Sequence, residues 1–421
     1  MAGYMKDLGN GKFQFEVSKG RDGKGKRNKA YRTITLTGST PEAILKKAEK
    51  QLALFVAEVE KDEFLRPTHF TFSEYTEEWK KSAQRNLAPK TFHRYNELLQ
   101  LHILPKIGQY KLEVITPIIL ENAYEEMRLP QKQIRMKKDG TKTERQYVLS
   151  EMTLKHIHRL IGTILQTAFR KGLIRENPIS RTDAPKAKKH EVQAYDTSTI
   201  TQLLSFLEDT DIQFKAAVHI TLAGGLRLGE LMGLEWEDID YENCLITIRQ
   251  AAQYIPGKGT FTKSPKNETS VRTISMPTPV MNIINELEHQ HKVRKVELGP
   301  QWKGGRIRDK KTSNEPERQN RLFLQADGNP MHPYTPTKQW KKFIEEKGLP
   351  SLTFHGLRHT SASYLISLGQ DVASVSKRLG HSNINTTLSI YTHAFKKKDE
   401  EAANRMALLY ANNEESNANT N

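Results

Sequence analysis

The sequence predicts a multidomain chain, mainly α with small β-sheets. An N-terminal three-stranded sheet plus one helix is expected first, then a helical domain, then an α+β domain. Three observations carry this. The chain has 421 residues, more than a single core usually organises, so two or three domains are expected. Apolar alternation with a period of two is confined to short stretches, whereas helical stripes recur from residue 41 onward. A Pro- and Lys-bearing stretch, Pro185 followed by Lys186, Lys188 and Lys189, reads as a linker before the last unit.

The elements follow in order. Phe13, Phe15 and Val17 alternate with polar residues, as does the run from Tyr31 to Thr37, with a basic, glycine-broken turn between them. Pro41 opens a helix that runs to about Asp62, proline being tolerated in a first turn. Ser73 to Trp79 reads as the next helix. From Thr91, the residues Phe92, Tyr95, Leu98, Leu99 and His102 recur at helical spacing and stop near Pro105 and Gly108. Ile115 to Met127 forms another helix. Leu154, Ile157, Ile161, Ile164, Leu165 and Ala168 form the stripe of one more. Between these last two lies Gln131 to Leu149, with an Asp139-Gly140 turn. It is either a hairpin or loop that meets a polyanion, or a solvated loop. In the last unit, Leu245–Ile248 and Val271–Met276 read as strands between helical ends. The expected boundaries are 1–66, 67–180, a linker at 181–194, 195–410, and a polar, disordered tail at 411–421.

Composition limits the function. Lys and Arg number 65 against 49 Asp and Glu, a net charge of +16. Such a surplus points to a polyanionic partner, most often nucleic acid. No run of about 18 apolar residues exists, so no membrane span is expected. The N-terminus lacks the apolar stretch of a secretory signal. The single Cys244 excludes an internal disulfide and a cysteine zinc cage. A cytoplasmic setting follows. No Walker-type loop is present, so ATP is not expected. Nor is a metal: His381 and His393 are too far apart, with no ligands to complete a tetrahedral set.

Several short segments carry groups capable of chemistry. In Ala223-Gly-Gly-Leu-Arg227-Leu-Gly-Glu230, an apolar helix ends at two glycines and Arg227 stands at the turn, able to clamp a phosphate. Glu230, one turn on, can hold a neighbouring cation; such a pair is as readily structural. Lys266 lies in the polar turn of Lys263-Ser-Pro-Lys266-Asn-Glu-Thr-Ser270-Val-Arg272, as a proton donor or as an edge-strand solubility device. In Phe354-His355-Gly356-Leu357-Arg358-His359, His355 and Arg358 share a helix face while Phe354 and Leu357 point to the core. Leu379-Gly380-His381 closes a helix, and Tyr391 follows ten residues later in Tyr391-Thr-His393.

In this order the segments closely resemble the tyrosine recombinase family, which includes phage and transposon integrases. Arg227 and Glu230 fall in the family's first arginine box. Lys266, with Ser270 and Arg272, falls at its hairpin lysine; Lys263 is a competing position. His355 and Arg358 fall in the His-x-Leu-Arg-His box, His381 in the Leu-Gly-His box, and Tyr391 at the nucleophile. Gly356 stands where Asp is frequent, and Asn267 where Thr is frequent. The resemblance extends by architecture and charge to a helical SAM-like core-binding domain and an N-terminal arm-type DNA-binding domain. Residues expected on DNA are Lys24, Lys26, Arg27, Lys29, Arg32, Lys137 and Lys138.

The resemblance implies site-specific recombination of double-stranded DNA attachment sites. Arg227 and Arg358 would neutralise the scissile phosphate and Tyr391 would form a 3′-phosphotyrosyl ester. His355 would accept the proton, Lys266 would protonate the departing 5′ oxygen, His381 would bond the phosphate, and Glu230 would orient the cations. It further implies a homotetramer, no cofactor, and as partners an excisionase and a host DNA-bending protein. Helices around Ala402–Tyr410 would pack on a neighbouring protomer. A type IB topoisomerase and a catalytically silent DNA-binding regulator are the rival readings. Residues 1–40 carry nine Lys/Arg and three acids, and 131–149 carry six and two, so these two stretches hold +6 and +4 of the +16.

Overall fold

The computed structural model describes residues 3–21, 27–38, 40–63, 70–136, 141–188, 193–263, 271–304, 306–307, 317–318, 320–381, 383–384, 388, 403 and 406–407. The Ala402–Tyr410 segment lies largely outside these residues and the 411–421 tail wholly so. The chain divides into two compact units, residues 1–189 and 190–421.

The first unit holds two separate apolar cores. Strands β1 (Gly3–Asp7), β2 (Lys12–Arg21) and β3 (Arg27–Thr35) form an antiparallel sheet in that order. The alternation at Phe13, Phe15 and Val17 puts those three side chains on one face. There they are buried with Ala48, Phe55 and Val59 of helix α1 (Pro41–Glu63). One face of a three-stranded sheet thus obtains a core from a single amphipathic helix.

The second core belongs to a helical bundle. Helix α2 (Phe72–Asn86) starts at a capping box: Glu74 N–H donates to Thr71 Oγ1, and Thr71 N–H donates to Glu74 Oε2 at 2.8 Å. Such a cap contributes about 1 kcal/mol. Helix α3 (Pro89–Leu98) runs through a π-turn at Leu99–Ile103 into α4 (Leu104–Ile107). Pro105 therefore sits in a first turn rather than ending the helix. Helices α5 (Pro117–Arg128) and α6 (Glu151–Arg170) complete the bundle, and the whole predicted stripe from Leu154 to Ala168 is buried. Between them, β4 (Gln131–Met136) and β5 (Lys142–Tyr147) form an antiparallel hairpin. After α6 the chain turns through Pro178–Arg181. Thr182 and Pro185 are then buried, and Asp183 N–H donates to Glu121 Oε1 at 3.1 Å. The beginning of the expected linker is therefore packed on α5.

In the second unit, α7 (Thr197–Leu207) and α8 (Ile212–Gly224) lead into the short α9 (Leu228–Leu231). Ala216, Ala217, Val218 and Ile220 make α8 apolar nearly all round, so it is buried at the centre. Strands β6 (Ile239–Asp240), β7 (Leu245–Ile248) and β10 (Arg272–Ser275) form a sheet in the order β10-β7-β6. Strands β8 (Ala251–Ile255) and β9 (Gly259–Lys263) form a hairpin, as do β11 (Arg306–Ile307) and β12 (Glu317–Arg318). Helices α10 (Thr278–Leu298), α11 (Thr335–Glu346) and α12 (Gly356–Ser367) pack on α8, and α13 (Val372–Leu379) packs on α12. Among the described residues no helix is long and apolar enough to cross a membrane.

Candidate active site

Arg227 is placed by the two glycines before it. Gly225 adopts φ +64° and ends α8, a conformation that disfavours L side chains. A Cβ there would lie 2.4 Å from Leu379 Cδ2. The chain turns sharply and delivers Arg227 to the first position before α9. Glu230, at the third position of that helix, takes the Arg227 backbone N–H at 3.0 Å and its Nη1 at 2.8 Å.

Arg358 comes from the first turn of α12. The loop ahead of it is held by Trp340, whose Nε1 donates to the Leu352 carbonyl at 2.7 Å. Phe354 and Leu357 enter the core as expected. Arg358 is itself only 1% exposed, deeper than a surface clamp would be, and its Nη1 donates to the Gly225 carbonyl at 2.6 Å. Gly356 stands where the resemblance leads one to expect Asp. A Cβ there would lie 2.4 Å from Leu352 Cδ1, so the packing of Leu352 selects glycine.

His381 follows α13 through Gly380, which ends the helix at φ +66°. The Gly380 carbonyl accepts from Arg227 Nη2 at 3.1 Å, and His381 N–H donates to the Ser376 carbonyl. The segments around Arg227, Arg358 and His381, far apart in sequence, are thus tied by backbone carbonyls to one place.

Two arginines outside the expected set complete the ties. Arg272, on β10, donates from Nη2 to Glu230 Oε2 at 2.8 Å and from Nε to the Arg378 carbonyl at 2.8 Å. Arg378 Nη2 donates to the carbonyls of Ala223 and Ser275 at 3.0 and 2.8 Å. Arg272 was visible only as part of the lysine motif, and an arginine leading a strand looks like an ordinary edge charge. Arg378 had no sequence signal beyond its place one turn before His381. His359 was seen only as the end of its box; its ring meets that of His355 edge-on at 4.9 Å.

The electrostatics are strongly biased. Burial alone would raise the Glu230 carboxyl. The Arg272 hydrogen bond and charge, with the Arg227 N–H and charge, outweigh it and bring the group down to about 2. Burial, then Arg358 and Arg227, hold His355 below its ordinary value, against an opposing pull from Glu230. Burial followed by the cations Arg358 and Arg227 brings His381 down to about 4. His359 falls to about 4 through burial, His355 and Arg358. All three histidines are thus biased toward the neutral form at pH 7. The cluster presents fixed cations beside neutral imidazoles that can accept or donate one proton.

Lys266 and Tyr391 lie outside the described residues, as do Lys24, Lys26, Lys137 and Lys138. Of the other residues expected on DNA, Arg27 has its backbone in β3. Lys29 pairs with Glu16. Arg32 pairs with Glu58 at 2.6 Å and stacks 4.6 Å over the Phe55 ring. Lys29 and Arg32 are thus engaged within their own domain.

Comparison with known proteins fits this geometry. The phage integrase family matches residues 193–398, and the phage integrase N-terminal SAM-like domain matches residues 71–128. The chain belongs to the phage integrase family of tyrosine recombinases. Among its relatives is the prophage phiRv2 integrase of Mycobacterium tuberculosis, 28% identical over 347 residues, covering 82% of this chain and 80% of the relative. A tyrosine recombinase XerC-like protein of Caldanaerobacter subterraneus is 28% identical over 275 residues, covering 62% and 67%. In fold, this integrase-family chain is similar to the Tn1549 transposon integrase in complex with transposon right end DNA. The TM-score is 0.61 at 20% identity, over 79% of this chain and all of that one. A lambda integrase dimer bound to a COC′ core site gives 0.52 at 16% identity, over 92% and 94%.

Proposed function

We propose that the chain is the integrase of a phage or other integrative mobile element, acting on double-stranded DNA attachment sites. The observation that carries this is the convergence of Arg227, Arg358 and His381 through the Gly225 and Gly380 carbonyls, with Glu230 fixing Arg227. A phosphodiester repels nucleophiles because its oxygens are anionic. Guanidinium groups held in advance lower that barrier by stabilising the charge that develops in the transition state.

In the proposed step the Tyr391 Oη attacks phosphorus and its proton passes to His355, which is biased toward the neutral form at pH 7 and so able to accept it. The P–O5′ bond breaks, Lys266 protonates the leaving 5′ oxygen, and a 3′-phosphotyrosyl ester remains. Arg227 and Arg358 neutralise the non-bridging oxygens, His381 donates a hydrogen bond to one of them, and Glu230 orients the cations. The ester conserves the energy of the broken bond, so a 5′ hydroxyl of a second duplex reverses the step and rejoins DNA. The strand exchanges would proceed pairwise within a homotetramer, with an excisionase and a host DNA-bending protein as further partners. The N-terminal sheet-and-helix unit would hold arm-type DNA through Lys24, Lys26, Arg27, Lys29 and Arg32, and Lys137 and Lys138 would add further contacts to DNA. The proposed domains are 1–66, 67–180 and 195–410, joined by 181–194.

The test is a nicked suicide duplex carrying the attachment core. Wild-type protein should give a denaturant-resistant adduct and Tyr391→Phe none. An adduct with Tyr391→Phe would overturn the nucleophile. Relaxation of plasmids that lack a site would favour a type IB topoisomerase instead, and no adduct at all a silent regulator.

A further inference from the structure

The β4–β5 hairpin is an insertion between α5 and α6 of the helical bundle, and the catalytic scheme makes no use of it. Its register pairs Gln131 with Tyr147, Gln133 with Arg145 and Arg135 with Thr143, which places these six residues on one face. The alternate register positions, on the other face, belong to Lys132, Ile134, Met136, Lys142, Glu144 and Gln146. The two faces differ in chemistry. The first bears two arginines, two glutamines, a threonine and a tyrosine, with no acid. The second bears the apolar residues and Glu144, which Lys132 neutralises at 2.9 Å.

The ribbon stands out from the bundle. Lys132 and the run Lys142 to Gln146 are exposed. Among the described residues, neither Lys142 nor Arg145 has an acidic partner. A lone two-stranded ribbon is marginal in water unless something supports it. Among the described residues, the base is anchored. Gln131 Nε2 donates to the carbonyls of Glu126 and Leu129 at 3.1 and 2.9 Å, and the Tyr147 ring meets His102 edge-on at 6.3 Å. Six residues per strand give a length of about 20 Å, and a two-stranded ribbon fits a major groove about 12 Å wide. Residues 131–149 carry six Lys/Arg against two acids, so the complement is an anion.

We infer that this hairpin is a sequence-reading ribbon that enters the major groove of the attachment-site DNA with its Gln133–Arg135–Arg145 face toward the base edges. The inference rests on the recombinase reading and adds a specificity determinant to it. Arginine and glutamine are suited to bidentate contacts with guanine and adenine edges. The Lys132–Lys142 face then points away from the groove floor, and the ribbon selects among sites while the arginine cluster of the second unit does the chemistry.

The test uses the full chain and two duplexes of equal length, one spanning an element–chromosome junction and one unrelated in sequence. The double variant Arg135→Ala, Arg145→Ala should reduce discrimination between them roughly 10-fold or more, with an unchanged melting temperature. Lys132→Ala, Lys142→Ala should leave the ratio of affinities unaltered. An unchanged ratio in the arginine variant, or an equal loss from both variants, overturns the ribbon assignment. The suicide-duplex adduct, measured at saturating protein, separates the two claims. If wild type forms no adduct the recombinase reading fails. If the adduct forms but discrimination is insensitive to the arginines, only the ribbon does.

Discussion

Arg272 donates from Nη2 to Glu230 Oε2 at 2.8 Å, and the side chains of both are about nine-tenths buried. Glu230 binds Arg227 with its other oxygen, so one carboxylate holds a strand arginine and a site arginine in fixed relation. A buried charge left without its partner is costly. Glu230→Gln should therefore destabilise the second unit by about 3 kcal/mol or more, read by chemical denaturation. It should also slow adduct formation, because Arg227 loses its orienting partner. Normal stability in this variant would show that Arg272 finds compensation elsewhere.

Arg358→Lys should be far from conservative. The guanidinium satisfies the Gly225 carbonyl through Nη1 and keeps further N–H groups in a planar fork. An ammonium is a point charge and cannot reproduce that geometry. Loss of one preorganised donor of this kind costs roughly 10²–10³ in rate. Single-turnover adduct formation on the suicide duplex should fall by that order, with duplex affinity changed much less.

Gly380→Ala tests the link between α13 and the cluster. The residue has φ +66°, and a Cβ there would stand 2.8 Å from Arg272 Nη1. The substitution combines left-handed strain with a collision against an arginine that two hydrogen bonds hold in place. About 1–3 kcal/mol of destabilisation is expected, with a matching loss of adduct. Gly348→Ala is the control: it has φ +65° but open space around it, so it should be destabilised by strain alone and keep its adduct yield.

What the sequence revealed follows from where its signals are local. The turn at Gly224–Gly225, the helix stop at Gly380 and the stripe Leu154–Ala168 each reside in a few neighbouring residues, and the structure has them where expected. The cross-chain ties do not. Arg272 and Arg378 act through carbonyls about 100 residues away or more, and no local pattern encodes such a partner. Three strands are expected at the N-terminus and three are present, but alternation locates only two of them: Gly3-Tyr-Met-Lys-Asp7 lacks it and is recruited by its register with β2. The helix from Thr91 ends at Ile107 with Gly108 as its cap, within the expected stop near Pro105 and Gly108, but the π-turn at Leu99–Ile103 that takes the chain past Pro105 has no local signal. The stretch 131–147 fits a hairpin and a solvated loop alike, because its apolar alternation is limited to Ile134 and Met136.

Buried histidines predict an acid-sensitive second unit. His291 is brought down to about 4 by burial, then by Arg294, against a weaker pull from Asp211. His359 and His381 also stand at about 4. A histidine whose folded value lies below its unfolded 6.5 binds fewer protons when folded. Its share of stability is complete above pH 6.5, is lost as pH falls toward 4, and does not change further below that. Glu230, lowered to about 2, contributes from about pH 4.5 downward, at the acid edge of this window and below it. At pH 5 each of the three histidines should therefore cost about 1–2 kcal/mol relative to pH 7.5. His291 is the one to test because it stands outside the arginine cluster. Its ring packs edge-on against Trp236 at 5.9 Å, and neither ring nitrogen has a hydrogen-bond partner among the described residues. His291→Phe keeps an aromatic ring against Trp236 and removes the titration. Melting temperature measured from pH 7.5 to 4.5 should fall less steeply for His291→Phe than for wild type, with adduct formation at pH 7.5 unchanged. Parallel melting curves would show that His291 is already protonated in the folded chain at pH 5.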